Sequence, residues 1–178
     1  MADKANDEIG MASLEVLRAS PGYPSAERLE RGPVAVIECI QEIPCNPCES
    51  ACRFDAILVG DPITNLPRLL EEKCRGCGEC VPVCPGLAIF IVNEAYSLDE
   101  AAISIPYEYL PLPKAGFAVD ALDRRGKRIC TGRIMRVSNP ERNDNTAVVT
   151  VIVPKRYSHQ VRNFRIRDEK AGTADMQM

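Results

Sequence analysis

The apolar positions of the chain fall into short runs of strand length. Three runs rich in Val, Ile and Ala, at 34–37, 56–59 and 88–92, alternate with loops that hold cysteines. Four further runs between 116 and 167 are separated by polar turns, a pattern typical of a small barrel or sandwich. The longest apolar runs are far shorter than the roughly 18 residues that indicate a membrane-spanning helix. The pattern therefore predicts an α+β chain with many short strands and no membrane segment.

Changes in composition divide the chain into five predicted segments. A weak helical stripe and a Pro-Gly-Tyr-Pro break mark an N-terminal extension, and three prolines with three tyrosines mark an extended connector. The predicted order is an N-terminal extension at 1–32, a cysteine domain at 33–93, a connector at 94–115, a small basic all-β barrel at 116–167 and a flexible tail at 168–178.

The cysteine domain contains an internal repeat. A shift of 32 residues places Cys77 on Cys45, Cys80 on Cys48 and Cys84 on Cys52, and the Ala-Ile pair that follows also coincides. Each half predicts a strand, a cysteine loop, a short helix that begins near the last cysteine, and a second strand. Two halves give a βαββαβ unit of about 60 residues.

Charge is unevenly distributed along the chain, although the net charge is only −3. Residues 121–167 carry twelve Lys and Arg against three Asp and Glu, whereas eight of the nine cysteines lie between 39 and 84, in the acidic remainder. The first residues show no basic stretch followed by an apolar one, so the sequence predicts a cytoplasmic protein. An odd number of cysteines in that reducing compartment argues against a disulfide framework.

The second half of the repeat holds a complete C-x2-C-x2-C-x3-C-P run, from Cys74 to Pro85. Three thiolates on one tight loop can each take a corner of an iron–sulfur cube, and Gly76 and Gly78 let the backbone approach the sulfurs. The fourth cysteine of such a run binds the other cluster of a pair. Structural zinc is the competing interpretation, but zinc favours two separated cysteine pairs in a tetrahedron. The spacing therefore favours iron–sulfur over zinc.

The first half departs from this run. Three cysteines keep the spacing, but the position equivalent to Cys74 is Glu42, and the nearest additional cysteine is Cys39. Either a loop longer by three residues lets Cys39 complete the first cluster, or that cluster is held by only three cysteines or by an oxygen ligand such as Glu42. Thiolates are the preferred ligands of iron–sulfur clusters, which favours Cys39. Cys130 lies apart in a predicted strand and is interpreted as a core residue.

With the fourth cysteine of each half exchanged, eight cysteines suffice for two 4Fe–4S clusters. The predicted ligands of cluster I are Cys39, Cys45, Cys48 and Cys84, and those of cluster II are Cys52, Cys74, Cys77 and Cys80. The paired runs resemble the bacterial-type two-cluster ferredoxin family over about 60 residues, 33–93. This resemblance implies a ferredoxin-like fold for the βαββαβ unit and one-electron transfer as its function.

The whole chain also resembles the small iron–sulfur subunits of flavin-dependent amino-acid or amine dehydrogenases. That resemblance implies flavoprotein oxidoreductase subunits as partners in a hetero-oligomer. A non-catalytic role is expected, because the sequence shows neither a glycine-rich dinucleotide motif nor a nucleophile–base pair. The single histidine, His159, lies in a polar stretch and is predicted to be a solvated loop residue, since acid–base sites need partners.

The basic C-terminal segment supports two hypotheses. It is either a docking module, whose Arg124, Arg125 and Arg128 steer an acidic partner subunit, or a barrel that makes the chain an iron–sulfur protein for nucleic-acid binding or redox sensing. Only three aromatic residues lie between 116 and 167, too few for a base-stacking platform. The composition therefore disfavours nucleic acid as the partner.

Overall fold

The computed structural model describes residues 11–167, and β-strands dominate that part of the chain. The strands are β1 (Val34–Ile37), β2 (Ile57–Leu58), β3 (Arg68–Leu69), β4 (Ile89–Asn93), β5 (Glu100–Tyr107), β6 (Ala118–Leu122), β7 (Arg128–Ser138), β8 (Ala147–Pro154) and β9 (Asn163–Ile166). Seven of them form one antiparallel sheet in the order β1-β4-β5-β8-β7-β6-β9, and β2 pairs with β3. The predicted tail at 168–178 and the start of the N-terminal extension lie outside the described residues.

The α-helices of the described residues are short. They are α1 (Leu14–Arg18), α2 (Ala26–Glu30) and α3 (Pro47–Ser50), and two 3-10 helices cover Glu141–Asn143 and Lys155–Tyr157. Ser13 and Ser25 cap α1 and α2, because their hydroxyl oxygens accept hydrogen bonds from the backbone N–H groups of Val16 and Arg28. Helices of one turn are marginal by themselves, so packing against the sheet and loops must hold them in place.

Two antiparallel strand pairs frame the cysteine segment. β1 pairs with β4, which places Ile37 opposite Ile89 and Ala35 opposite Ile91, while β2 pairs with β3. The first half of the repeat has the helix α3, whereas the equivalent stretch of the second half, 79–83, forms turns. A proline inside that stretch removes an N–H that a helix would use. The ferredoxin-like βαββαβ layout stays a prediction.

Strand β5 lies inside the segment for which the prolines predict an extended connector. It pairs with β8 along its whole length, and Ala101, Ile103 and Ile105 on it are buried. Pro106 is compatible with the strand, because β4 pairs with β5 only at residues 102–104 and Pro106 lies beyond that ladder. Burial of apolar side chains between β4 and β8 therefore outweighs the proline signal.

The C-terminal strands continue the same sheet. β8 lies between β5 and β7, and its first seven residues are buried, which explains its uninterrupted run of apolar and small residues. The predicted barrel at 116–167 thus shares a sheet with the cysteine segment through β5 and β4. The boundaries of the five predicted segments stay predictions. Nowhere in residues 11–167 does a helix have the length and apolar character needed to cross a membrane.

A buried ion cluster joins the cysteine segment to the C-terminal strands. The carboxylate of Glu38, which follows β1, accepts hydrogen bonds from the guanidinium groups of Arg124 and Arg162. The Arg162 side chain is only 3% exposed and lies over the ring of Phe90. Burial opposes ionisation of Glu38, but the two arginines outweigh that effect and hold the pKa of Glu38 below its ordinary value. Glu38 is therefore the charged centre of a tertiary contact.

Candidate iron–sulfur centre

Two cavities in the cysteine segment are each lined by four cysteines. The first cavity, of about 370 Å³ including its mouth, has the predicted cluster I set as lining, namely Cys39, Cys45, Cys48 and Cys84. The second, of about 310 Å³, has the predicted cluster II set, namely Cys52, Cys74, Cys77 and Cys80. All eight thiols are free. The structure thus brings together each predicted set, including the exchanged cysteine from the other half.

Both cavities lie against one strand ladder. The pair Ile37 and Ile89 lines the first cavity, and the pair Ala35 and Ile91, two residues along β1 and β4, lines the second. Because a strand rises about 3.3 Å per residue, these lining pairs are separated by roughly 7 Å. The ladder therefore holds the two cysteine sets side by side.

Gly76 lets the second cysteine loop pass close to the chain before β1. Its φ of +61° is in the left-handed region, and a Cβ on it would lie 2.5 Å from the carbonyl oxygen of Pro33. No side chain fits in that space, and an L-residue is strained at that φ. The sequence signal for this close approach is the glycine between Cys74 and Cys77.

Gly76→Ala is expected to lower both the iron content and the stability of the protein, since the added methyl group must displace backbone. Gly60→Ala is the matched control, because Gly60 has a similar φ of +68° but nothing within 4 Å of the added Cβ. The control should keep its iron. Its free energy of unfolding should fall only by the cost of placing an L-residue at a left-handed φ, about 1–2 kcal/mol. Iron assay and urea unfolding of both variants measure the difference. Equal losses in the two variants would contradict a steric role for Gly76.

Backbone N–H groups point at three of the cysteine sulfurs. Ala56 donates to Cys52 Sγ at 3.2 Å, and the equivalent Ala88 donates to Cys84 Sγ at 3.4 Å. Ala35 on β1 also donates to the Sγ of Cys74, at 3.4 Å. Such donors offset negative charge on ligating sulfurs and so tune the reduction potential of a bound cluster. The two Ala-Ile pairs of the repeat thus have a local structural role.

Burial disfavours the charged form of several of these thiols. It raises the pKa of Cys48 to about 11, and the nearby thiol of Cys84 adds to the effect. Burial also raises the pKa of Cys80 and of Cys39. Metal ions reverse this preference, because they bind the thiolate and release its proton. Glu42, the competing ligand for cluster I, is exposed and does not line the first cavity.

Arg28 is a structural residue of the site that the sequence interpretation missed. Its buried guanidinium donates to the backbone carbonyl oxygens of Glu71, Pro33 and Cys74, the last at 2.7 Å. It therefore anchors the start of the second cysteine loop to α2, and gives part of the N-terminal extension a role in the site. Nothing in the sequence separates Arg28 from neighbouring surface arginines, because its partners are backbone atoms distant along the chain.

The two other candidate residues lie away from the cavities. Cys130 is on β7 opposite Ala121 and lines neither cavity. His159 is half-buried rather than solvated: its Nδ1 is 2.9 Å from the hydroxyl of Tyr23, and its Nε2 is 3.3 Å from Glu94. Burial lowers the pKa of His159 despite the neighbouring carboxylate. The polar sequence around it does not reveal this packing.

The donor set fits iron–sulfur clusters. Each cavity offers four soft thiol ligands, and backbone N–H groups are directed at some of the sulfurs. Zinc would need four sulfurs about 2.3 Å from one central ion. Among residues 11–167, no group of three or more His, Cys, Asp or Glu converges closely enough to hold a single metal ion. Which cysteines bind iron stays a prediction.

Comparison with known proteins agrees with this chemistry. Residues 67–90, which include the complete cysteine run, match the 4Fe-4S binding domain family. The chain contains a 4Fe–4S binding domain. This domain spans the second cysteine loop, from before β3 into β4.

Three known proteins are similar to part of the chain. One subunit of the Na(+)-translocating ferredoxin:NAD(+) oxidoreductase complex of Acetobacterium woodii is 44% identical over 48 residues, 27% of this chain and 14% of that protein. An uncharacterized ferredoxin of Methanocaldococcus jannaschii is 30% identical over 80 residues, 45% of this chain and 48% of that protein. Protein Pixie of Drosophila melanogaster is 27% identical over 106 residues, 51% of this chain and 17% of that protein.

The chain spans less than half the length of each of these relatives. No solved structure matches it at a significant level. The matched domain and the ferredoxin relatives together support an iron–sulfur electron-transfer role.

Proposed function

We propose that the protein is a non-catalytic electron-transfer subunit that binds two 4Fe–4S clusters and serves a flavin-dependent oxidoreductase complex. One observation carries this proposal: two cysteine-lined cavities lie side by side against the β1–β4 ladder. Each cluster, when bound, takes up and releases one electron at a time. The chain supplies ligands, insulation and a fixed separation between the two sites.

In this function, the polypeptide holds the two clusters apart and shields them from water. Apolar Ile43 lines the first cavity and Phe54 the second, each half-exposed at the surface. Their side chains limit the access of water, and limited access together with N–H donors to sulfur sets the potential of iron–sulfur clusters. Exposed Cys77 is the point where the second set reaches the surface.

A complex of subunits is part of the proposal. The relative from Acetobacterium woodii is named as one subunit of an oxidoreductase complex, and it aligns over 48 residues. A flavoprotein as the partner rests on the resemblance of the whole chain to small dehydrogenase subunits. A cytoplasmic location belongs to the same proposal.

Two of the arginines expected to steer a partner are occupied within the chain. Arg124 is held by Glu38 in the buried ion cluster, and Arg128 donates to Asp120 at 2.8 Å. Each of these carboxylates is shared, since Glu38 also contacts Arg162 and Asp120 also contacts Arg165 and Arg167, so the pairing fixes the arginines without cancelling all of their charge. Neutralising Arg124 is therefore expected to lower stability, because it removes a partner of the buried Glu38 carboxylate.

Assay of iron and acid-labile sulfide on anaerobically purified protein tests the proposed function. Two 4Fe–4S clusters require about eight iron and eight sulfide per chain. Electron paramagnetic resonance after dithionite reduction should show reduced cubane signals. About four iron per chain would contradict the second cluster, and stoichiometric zinc with little iron would contradict the electron-transfer role.

Replacing Cys39 by Ser separates the two interpretations of cluster I. Cys39 lines the first cavity, so the variant is expected to lose one iron or all of cluster I while cluster II stays reducible. Cys130→Ser is the matched control, because Cys130 is half-buried but lines neither cavity. The iron content and the electron paramagnetic resonance spectrum of each variant are measured. Unchanged iron in Cys39→Ser would favour Glu42 or ligation by three cysteines.

A further inference from the structure

A groove with a mixed polar and apolar lining lies beside the second cysteine cavity. One wall is the loop 76–79, which includes exposed Cys77, and the other is formed by the end of β7 and the residues after it. The groove has a volume of about 920 Å³ including its mouth. It is thus the surface feature next to the most exposed predicted ligand.

The groove follows a row of paired residues across four strands. Ile91 on β4 lies opposite Ser104 on β5, Ser104 opposite Thr150 on β8, and Thr150 opposite Arg136 on β7. The hydroxyls of Ser104 and Thr150 are 2.9 Å apart, which confirms that they share a face. Ile91 lines both the groove and the second cavity. At about 4.8 Å between strands, Arg136 begins roughly 14 Å from Ile91.

The charge of the groove is positive. Its charged lining residues are Arg136, Arg142 and Glu79, and the Glu79 carboxylate is already held by the guanidinium of Arg53. Arg136 and Arg142 are exposed, and within residues 11–167 neither guanidinium group forms a hydrogen bond or an ion pair. The guanidinium groups of Arg136 and Arg142 are therefore available to a partner, whereas those of Arg124 and Arg128 already contact carboxylates.

We propose that this groove is the docking surface for an acidic redox protein, whose carboxylates meet Arg136 and Arg142 beside Cys77. The inference rests on the proposed function. One electron passes between cluster II and a one-electron acceptor or donor of the partner, and no bond forms or breaks and no proton moves. Complementary charge then orients the partner over the exposed cysteine and speeds association.

The exposure of the two arginines favours a protein surface over a small anion as the occupant of the groove. Small-molecule sites bury most of their ligand among preformed walls, with a few convergent polar groups. Here both arginines are exposed, on β7 and on the following 3-10 helix. Flexible exposed guanidinium groups suit the rim of a protein interface, where arginine is common.

Binding of hexacyanochromate(III), an inert paramagnetic trianion, tests the docking surface without any electron transfer. In holoprotein, the amide resonances of Ser138, Asn143 and Val148 are expected to broaden. The double variant Arg136→Gln, Arg142→Gln should lose this broadening. The control Arg128→Gln, Arg133→Gln removes the same charge from arginines paired with Asp120 and Glu100, and should keep it.

Stopped-flow oxidation of the reduced holoprotein supplies the second measurement. Ferricyanide accepts one electron and becomes ferrocyanide. The rate of oxidation by ferricyanide should fall roughly three- to tenfold in the double variant Arg136→Gln, Arg142→Gln, and this rate should depend less on salt. Oxidation by cationic hexaamminecobalt(III) should not slow, and the control variant should change neither rate.

The outcomes distinguish the docking surface from the proposed function. Intact clusters with unchanged broadening and unchanged ferricyanide rates in the groove variant would overturn the docking surface alone. Saturable loss of broadening with millimolar phosphate, at constant ionic strength, would also overturn it by indicating a small-anion site. Absence of clusters from the wild-type protein would instead contradict the proposed function.

Discussion

Cys52→Ser is expected to abolish cluster II and leave cluster I reducible, although Cys52 belongs to the first half of the repeat. The reason is geometric, because Cys52 lines the second cavity with the cysteines of the second loop. Conversely, Cys84→Ser should abolish cluster I, since Cys84 lines the first cavity. Each variant should lose up to about four iron per chain.

Two reference variants make this prediction measurable. Cys45→Ser should disturb only cluster I and Cys77→Ser only cluster II, because both lie within the loop of their own set. The reduced resonance spectrum of Cys52→Ser should then match that of Cys77→Ser, and Cys84→Ser should match Cys45→Ser. The opposite matching would show that each half of the repeat binds its own cluster.

Glu38→Ala should produce a large loss of stability. It leaves the guanidinium of Arg162 buried without a carboxylate, and also frees Arg124. Removing one partner of a buried ion pair costs about 3–5 kcal/mol of the free energy of unfolding. Because the pKa of Glu38 lies below its ordinary value, its stabilisation is present above that ordinary pKa and is lost as pH falls through the lower, folded-state pKa.

Urea unfolding of the anaerobic holoprotein measures this loss. Glu100→Ala is the control, since its pair with Arg133 is exposed to solvent and should change stability little. The double variant Glu38→Leu, Arg162→Met should lose less than Glu38→Ala, because it removes the buried charge as well as its partner. A loss in Glu38→Ala no larger than in the control would contradict a buried ion cluster that joins the two segments.

The ion cluster bears on how the two chain regions depend on each other. The sequence predicts a cysteine domain and a separate barrel, whereas the structure links them by β5, shared by β4 and β8, and by Glu38. Deleting residues 116–178 would remove β8 from β5 and both arginines from Glu38. We therefore expect truncation to destabilise the cysteine segment rather than release it as an independent fragment.

Local features of the iron–sulfur site could be predicted from the sequence alone. The cysteine spacing depends on a few neighbouring residues, whose order restricts the loop directly. The close approach of Gly76 to Pro33, in contrast, joins residues that are distant along the chain. The apolar run at 147–153 likewise predicts β8, because a strand buried on both faces needs consecutive apolar residues. The 4Fe–4S binding domain matched at residues 67–90 agrees with that local pattern.

Contacts between distant residues were decided only by the tertiary structure. The prolines of the segment 94–115 argued against the strand β5. In the structure β5 pairs with β8 along its whole length, but with β4 only at residues 102–104, so Pro106 lies outside the β4 ladder. Arg28, Arg124, Arg136 and Arg162 are the same residue type in sequence, yet one anchors a loop, two neutralise Glu38 and one lines an open groove. The residue type sets the charge of each side chain. Its structural role depends on which backbone carbonyl or carboxylate groups the tertiary packing places in contact with it.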